Sequence, residues 1–257
     1  MYMNLISIEK RSHILIVTLN RPEKRNAVNF EMAEELEKIW KDFERDDELY
    51  VGVITGSGEN FCSGADLSDL YRLASRVGNE NGPLGSTRII LSKPVIAAIS
   101  GYCVAGGLEI ALWADIRIAD ETAKFGVLNR RFGVPLIDGG TQRLPKIVGL
   151  GNALELILTG RLIDAKEAYR IGLVNEIVPK GFALKRALEI AEMLCSYPQV
   201  AMRNDRKAVY HGLGQSLEKG LEIEAKFGFE TINDGAFLEK ARKFVEEKKG
   251  RHGEELN

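Results

Sequence analysis

The sequence predicts an α/β fold in which buried parallel strands alternate with helices and a helical segment follows. Short apolar runs such as "YVGVITGSG" and "KPVIAAIS" end in glycine or serine turns, as buried strands do. Amphipathic helical patterns separate these runs, and no strand pattern remains after Tyr197. We therefore expect a parallel-rich core over residues 1–197 and a helical region over residues 198–257.

The first predicted strand is "HILIVTLNRP", which ends at Asn20-Arg21-Pro22. A helix follows in "FEMAEELEKIWKDFERDD", with Asn29 as its N-cap. Its apolar side chains recur at helical spacing, at Met32, Leu36, Ile39, Trp40 and Phe43. Further along, "DIRIAD" predicts a short alternating strand and "GLVNEIVP" predicts another. The last segment predicts three helices, with Pro198 opening the first and Gly212 to Gly214 separating it from the second.

Composition and charge argue against several classes of protein, among them nucleic-acid binders and metalloproteins. A formal net charge of −2 over 257 residues argues against a dedicated nucleic-acid or membrane-surface binder. Cys62, Cys103 and Cys195 have no CxxC spacing, and the three histidines form no paired metal motif. No signal peptide or membrane-spanning run is predicted. We expect a cytoplasmic protein with no metal and no separate organic cofactor.

The stretch "SGYCVAGGLEIALWAD" places two glycines before a single carboxylate, Glu109, in an otherwise apolar segment. A helix that begins at Gly106 leaves its first N–H groups without intrahelical partners, and glycine lets a ligand approach them. Glu109 then lies one turn further along, on the same face. This arrangement suits the formation of an enolate while a proton moves. Alternatively, the glycines form a tight turn and Glu109 is a first-turn carboxylate stabilised by the helix dipole.

A second small-residue turn occurs in "GENFCSGADLSDL", after the predicted strand "VGVITG". Two such turns, each following a buried strand, can supply two N–H donors to one oxygen, as an oxyanion hole requires. The alternative is an ordinary loop in which Asp66 caps a helix.

Together these segments resemble the two signatures of the crotonase superfamily, also called the enoyl-CoA hydratase/isomerase family. The signature-like segments are "FCSGADL" and "IAAISGYCVAGGLEIALWADIRIADETAKFG". The segments "NRPEKRNAV", "GGTQRLPKIVG", "LILTGRLIDAKEAYRIGLVNEIVP" and "YPQVAMRNDRKAV" fit the same family in the same order. The resemblance implies a crotonase-like spiral of ββα units with a helical C-terminal trimerisation region. It also implies an acyl-CoA substrate and a homo-oligomer that is a trimer or a dimer of trimers.

The resemblance also assigns binding residues. The N–H groups of Ala65 and Gly106 match the pair that binds the thioester oxygen in the family. Such a pair binds this oxygen more tightly in an enolate than in a carbonyl. The residues expected to contact the CoA part of the substrate are Lys24, Arg25, Ala27, Ser63, Ala65, Asp66, Leu67 and Ser68. Among these, the two basic residues either pair with CoA phosphates or form a solvated basic turn.

The acid–base groups depart from the hydratase pattern. Glu109 matches the first catalytic glutamate, whereas Asn129 occupies the position of the second and cannot exchange a proton near neutral pH. Asp138 lies where some isomerases of the superfamily have a catalytic aspartate, and its alternative role is to cap a helix starting at Gly139. Arg130 and Arg131 are surface charges, trimer contacts or ligands for a substrate carboxylate.

Reversible hydration of a 2-enoyl-CoA is the first functional prediction, because it is the commonest activity of the family. Double-bond isomerisation by Glu109 and Asp138 is the close alternative, and other acyl-CoA reactions occur on the same scaffold. A hypothesis from another class is a non-catalytic CoA-binding or RNA-binding member. The pocket wall is expected to include parts of Leu67 to Pro83.

Overall fold

A computed structural model describes residues 4–235 and Arg242. By its internal contacts the chain divides into two compact units, Met1–Leu194 and Cys195–Asn257. Each unit is described by itself.

The strands of the first unit form two sheets. Their bounds are β1 (Ile6–Arg11), β2 (Ile14–Leu19), β3 (Val51–Gly56), β4 (Val95–Ile99), β5 (Tyr102–Val104), β6 (Ile116–Asp120), β7 (Lys124–Gly126), β8 (Ile163–Asp164) and β9 (Glu176–Val178). The larger sheet has the order β1-β2-β3-β4-β6-β9, and the smaller has the order β5-β7-β8. The larger sheet is parallel except for the β1–β2 hairpin, as the alternation of strands and helices predicts.

The helices that surround these sheets differ widely in length. In the first unit they are α1 (Phe30–Arg45), α2 (Leu70–Ala74), α3 (Gly106–Trp113), α4 (Asn129–Phe132), α5 (Gly140–Val148), α6 (Leu150–Thr159), α7 (Ala165–Arg170) and α8 (Ala183–Cys195), whose last residue begins the second unit. The second unit contains α9 (Gln199–Gly212) and α10 (Leu217–Asp234). Short 3-10 turns occupy Pro22–Lys24 and Leu67–Asp69.

Helix α1 confirms the most detailed sequence prediction. The Asn29 side chain accepts a hydrogen bond from the Met32 N–H, and all five predicted apolar positions are buried. Trp40 packs edge-on against Phe43 and Trp113, with ring centroids 5.6 and 4.9 Å away. This cluster joins α1 to α3 and fixes the helix that carries Glu109.

The strand predicted in "DIRIAD" is confirmed as β6, but its predicted alternation of buried and exposed residues was wrong. Four of the five residues of β6 are buried, because the strand lies between β4 and β9 inside a parallel sheet. Strands β1, β5, β7 and β8 were not predicted. Five of the six residues of β1 are exposed and several are charged, while β8 has only two residues, so neither has a strong strand pattern.

Within the second unit, α9 and α10 pack against each other. Pro198 precedes α9 and Gly212 ends it, as predicted. The Asn204 amide links the two helices by donating to the Thr231 hydroxyl at 3.1 Å. Of the predicted third helix, only Arg242 lies within the described residues, where it is helical. Among the residues that the structure describes, no helix is both long and apolar enough to span a membrane.

Candidate active site

One cavity of about 740 Å³ in the first unit brings together most of the predicted site residues. Those that line it are Arg25, Ala27, Ser63, Ala65, Asp66, Leu67, Gly106, Glu109, Asn129, Arg131 and Asp138. Its wall also includes the apolar residues Leu70, Leu73, Val77 and Pro83, within the segment expected to form it. The predicted residues Lys24 and Ser68 do not belong to this lining, nor does Arg130.

The backbone amides of Ala65 and Gly106 lie side by side in the cavity. A Cβ atom built on Gly106 would lie only 3.4 Å from the Ala65 nitrogen, and one built on Gly64 would lie 2.7 Å from the Gly106 nitrogen. Within the described part of the chain, neither N–H donates a hydrogen bond to another protein group. Two adjacent, unused donors in a partly enclosed cavity are suited to bind an oxygen that gains negative charge.

The backbone before α3 is strained where it presents the second donor. Ala105 has φ +52° and ψ −127°, a conformation that a residue with a side chain rarely adopts. Gly107 cannot carry a side chain, because a Cβ there would lie 2.1 Å from the Cys62 carbonyl oxygen. The glycine pair therefore allows α3 to start directly against the Cys62 loop, with the Gly106 N–H directed into the cavity.

Ion pairing and hydrogen bonds fix the loop that carries Ala65. Arg21 donates to the Asp66 carboxylate at 2.8 Å and to the Ala27 carbonyl at 2.6 Å. Ser68 also donates to Asp66, through both its N–H and its hydroxyl. Burial raises the pKa of Asp66, but these donors outweigh burial and hold that pKa below its ordinary value. Asp66 thus stabilises the loop and caps the 3-10 turn that follows it.

Arg25 and Lys24 have different surroundings. The Arg25 guanidinium lies over the Tyr102 ring, 5.1 Å from its centroid, at the edge of the cavity. The Lys24 side chain is exposed, whereas its carbonyl accepts a hydrogen bond from the Ser63 hydroxyl. Of these two basic residues, only Arg25 contributes to the cavity wall.

Glu109 is 2% exposed and lies in the first turn of α3. Its Oε1 accepts hydrogen bonds from the N–H groups of Asp138 and Gly140, at 2.9 and 2.8 Å. Burial, together with the nearby carboxylate of Asp138, raises the pKa of Glu109 to about 8. Near pH 7 the group is therefore mostly protonated. No hydrogen bond of the described residues engages its other oxygen, Oε2.

Asp138 is 3% exposed and faces the same cavity. Its Oδ1 accepts hydrogen bonds from the Leu84 N–H at 3.0 Å and from the Thr87 hydroxyl. Burial raises the pKa of Asp138 above its ordinary value. The structure does not support a capping role, because α5 begins at Gly140 and no side chain caps it.

Asn129 lines the cavity, and only one of the two polar atoms of its side chain has a hydrogen-bond partner among the described residues. Its Nδ2 donates to the Pro135 carbonyl at 3.3 Å, and its Oδ1 is buried without a partner among the described residues. The amide therefore links the first residue of α4 to the segment after that helix, and it transfers no proton. On the same helix, the Arg131 Nε donates to the Gly160 carbonyl at 3.2 Å, which ties α4 to the end of α6.

The sequence analysis missed Thr87 and Leu84, which hold the Asp138 carboxylate. Thr87 is separated from Asp138 by 51 residues, and no motif spacing indicates that they meet. Among the described residues, no three His, Cys, Asp or Glu side chains come together as a candidate metal site.

Comparison with known proteins places this geometry in a family. The sequence model described as Enoyl-CoA hydratase/isomerase matches residues 9–255. The short-chain-enoyl-CoA hydratase of Clostridium acetobutylicum is 37% identical over 254 residues, spanning 94% of this chain and 97% of that protein. The chain belongs to the enoyl-CoA hydratase/isomerase family. The crotonyl-CoA hydratase of Syntrophomonas wolfei is 36% identical over 253 residues, again spanning 94% of this chain and 97% of that protein.

Solved structures agree with this membership. A crystal structure of an enoyl-CoA hydratase from Mycobacterium marinum has a TM-score of 0.90 at 33% identity, over 95% of this chain and 96% of that one. The enoyl-CoA hydratase of Bacillus anthracis has a TM-score of 0.89 at 34% identity, over 95% and 97%. The predicted crotonase-like fold is therefore confirmed. As a member of the enoyl-CoA hydratase/isomerase family, the chain is an enzyme of acyl-CoA metabolism.

Proposed function

We propose that this enzyme catalyses the reversible hydration of a 2-enoyl-CoA, with Glu109 and Asp138 as its acid–base pair. One observation carries the proposal. Two buried carboxyl groups line the cavity that contains the unused amides of Ala65 and Gly106. Each carboxyl group has one oxygen fixed by two donors, and no hydrogen bond of the described residues engages the other.

The two amides would bind the thioester oxygen of the substrate. When water adds to the β-carbon of a conjugated thioester, electron density moves onto that oxygen and gives an enolate. Donors that are already in place stabilise this charge without reorganisation. Loss of one such donor typically lowers kcat by about 10²- to 10³-fold. The strained backbone at Ala105 maintains this arrangement before the substrate arrives.

Besides burial, the negative charge of Asp138 is one cause of the raised pKa of Glu109, so the two carboxyl groups can take complementary roles. Glu109, with a pKa of about 8, carries a proton near neutral pH and can deliver it to the α-carbon. Asp138 starts from a lower ordinary pKa and accepts two hydrogen bonds at Oδ1, which stabilise its ionised form. The ionised Asp138 takes the proton of the attacking water as the water oxygen bonds to the β-carbon. Proton exchange with solvent then restores both groups.

Double-bond isomerisation is the second candidate, because the amide of Asn129 bonds to Pro135 and does not present a water-activating carboxylate. Glu109 and Asp138 would then move a proton between two carbons of the acyl chain, through the same enolate. No water is consumed in that reaction.

We also propose that Arg25, with Ala27 and Ser63, contacts the CoA part of the substrate at the cavity edge. No cofactor beyond this CoA is required by the proposed chemistry. A homotrimer or a dimer of trimers in the cytoplasm remains our proposal for its assembly and location.

The experiment that tests the function follows the absorbance of the conjugated thioester with a 2-enoyl-CoA and with its 3-enoyl isomer. Wild type is compared with Glu109→Gln and Asp138→Asn, and with Asp47→Asn and Glu192→Gln as controls at exposed sites. A fall in absorbance with the 2-enoyl substrate that needs both Glu109 and Asp138 supports hydration. A rise with the 3-enoyl substrate that needs both groups supports isomerisation.

Other results would contradict the proposal. Hydration that survives Asp138→Asn would assign the chemistry to Glu109 and a water alone. If neither substrate reacts and RNA binds in a salt-dependent manner, the non-catalytic alternative is correct.

A further inference from the structure

A hydroxyl group outside the family signatures holds the second carboxyl group. Thr87 is fully buried, with 0% of its surface exposed, and its hydroxyl donates to Asp138 Oδ1. The Leu84 N–H donates to the same oxygen at 3.0 Å. Both donors come from the segment between α2 and β4, which also supplies part of the cavity wall.

Neighbouring residues fix the position of that hydroxyl. Gly82 has φ +93°, and a Cβ atom there would lie 2.2 Å from the Thr87 Oγ1. Any residue other than glycine would therefore displace the hydroxyl. Arg143 donates to the carbonyl of Thr87 at 2.6 Å and to that of Asp138 at 3.1 Å, so it joins the two backbones directly.

The same segment also contacts the oxyanion site. A Cβ atom on Gly106 would lie 2.6 Å from Leu84 Cδ1, so the leucine side chain packs directly against that glycine. Leu84 itself is 1% exposed. Through its N–H and its side chain, one residue thus fixes the distance between the Asp138 carboxylate and the amide at Gly106.

We propose that Thr87 is a positioning residue that orients Asp138, so that its Oδ2 faces the acyl chain and takes up the proton. This inference rests on the proposed role of Asp138. The two donors on Oδ1 keep negative charge on that oxygen and prevent rotation of the carboxyl group. The proton released by water, or by the acyl chain, therefore moves to Oδ2, where no hydrogen bond competes.

The hydroxyl has a second effect on the same group. The hydrogen bond from Thr87 lowers the pKa of Asp138 and partly offsets the increase caused by burial. Its removal should make Asp138 both less well oriented and harder to ionise. Activity that depends on ionised Asp138 would then require a higher pH.

The test compares Thr87→Val and Thr87→Ser, with Thr18→Val as a control on the half-buried part of β2. Thr87→Val keeps the shape of the side chain and removes the donor, whereas Thr87→Ser keeps the hydroxyl. We expect Thr87→Val to lower kcat by about 10- to 100-fold, less than the roughly 10²- to 10⁴-fold contributed by a general acid–base group itself, and to change KM by less than roughly threefold. The acidic limb of the pH profile of kcat should move to higher pH by about 0.5–1 unit, because this shift corresponds to the free energy of one hydrogen bond. Thr87→Ser should restore most of the activity.

The inference is overturned if Thr87→Val keeps wild-type kcat and an unshifted profile while Asp138→Asn is inactive. It is also overturned if Thr87→Ser is as impaired as Thr87→Val, because a donor role requires rescue by serine. If Asp138→Asn itself keeps wild-type kcat, the proposed role of Asp138 has failed, which is a different result. Thermal unfolding of each variant separates these outcomes from loss of the fold.

Discussion

Replacement of Glu109 by glutamine should stabilise the protein at high pH. The carboxyl group titrates near 4.5 in an unfolded chain, whereas burial raises its pKa to about 8 in the folded state. Between these values the folded state binds the proton more tightly, so the free energy of unfolding falls as pH rises. Glutamine is neutral at every pH and its amide oxygen can still accept from the N–H groups of Asp138 and Gly140. Glu109→Gln therefore removes the fall in the free energy of unfolding at high pH and keeps the two hydrogen bonds.

The size of the effect follows from the two pKa values. Each pH unit between them corresponds to about 1.4 kcal/mol, so the whole interval is worth up to roughly 5 kcal/mol. Between pH 5.5 and pH 8.5, the wild type should lose about 3 kcal/mol more than Glu109→Gln. The assay is urea unfolding of both proteins at a series of pH values, with Glu192→Gln as an exposed control. Parallel pH dependences for wild type and Glu109→Gln would refute the reasoning, because they would show that burial does not disfavour the charged form of Glu109.

Three further substitutions test other parts of the site and its support. Lys93→Met should lower the free energy of unfolding by about 2–3 kcal/mol in urea unfolding, because the buried ammonium donates to two carbonyls at the end of α1. Arg21→Met should leave the poorly solvated Asp66 carboxylate without its cationic partner, at a cost of about 3 kcal/mol in urea unfolding, and should raise KM for the acyl-CoA in steady-state kinetics. Asn129→Asp should lower both activity and melting temperature, because the new carboxylate faces the Pro135 carbonyl instead of donating to it. A gain of hydration activity in that variant would contradict the structural role of Asn129.

The sequence predicts what depends on local pattern. The helix at 30–45, its cap at Asn29 and the buried strands follow from apolar spacing and turn residues, because these signals act over a few residues. Ala65, Gly106 and Glu109 each lie within a contiguous family motif, and the structure brings these three residues together in one cavity. Short or exposed strands such as β1 and β8 carry no comparable signal.

What the sequence does not predict is contact between distant segments. The bond from Thr87 to Asp138 joins residues 51 positions apart. The capping alternative for Asp138 fails because α5 begins at Gly140 and no side chain caps it. Similarly, "FGVLNRR" shows that an amide replaces a carboxylate, but only the structure shows that the Asn129 side chain binds the Pro135 carbonyl. Such contacts depend on tertiary packing, which cannot be predicted from hydrophobic periodicity or motif spacing.

The burial of Glu109 links ligand affinity to proton concentration. An acyl chain that fills the cavity displaces water from the remaining face of the carboxyl group, which disfavours its charged form further. Binding of an unreactive acyl-CoA analogue should therefore take up protons from solution near pH 8, and its affinity should decline as the solution becomes more alkaline. Proton binding and ligand binding are linked equilibria, so each strengthens the other. The enzyme should therefore bind the acyl-CoA thioester more tightly at lower pH. The enzyme would thus release its product more readily at alkaline pH.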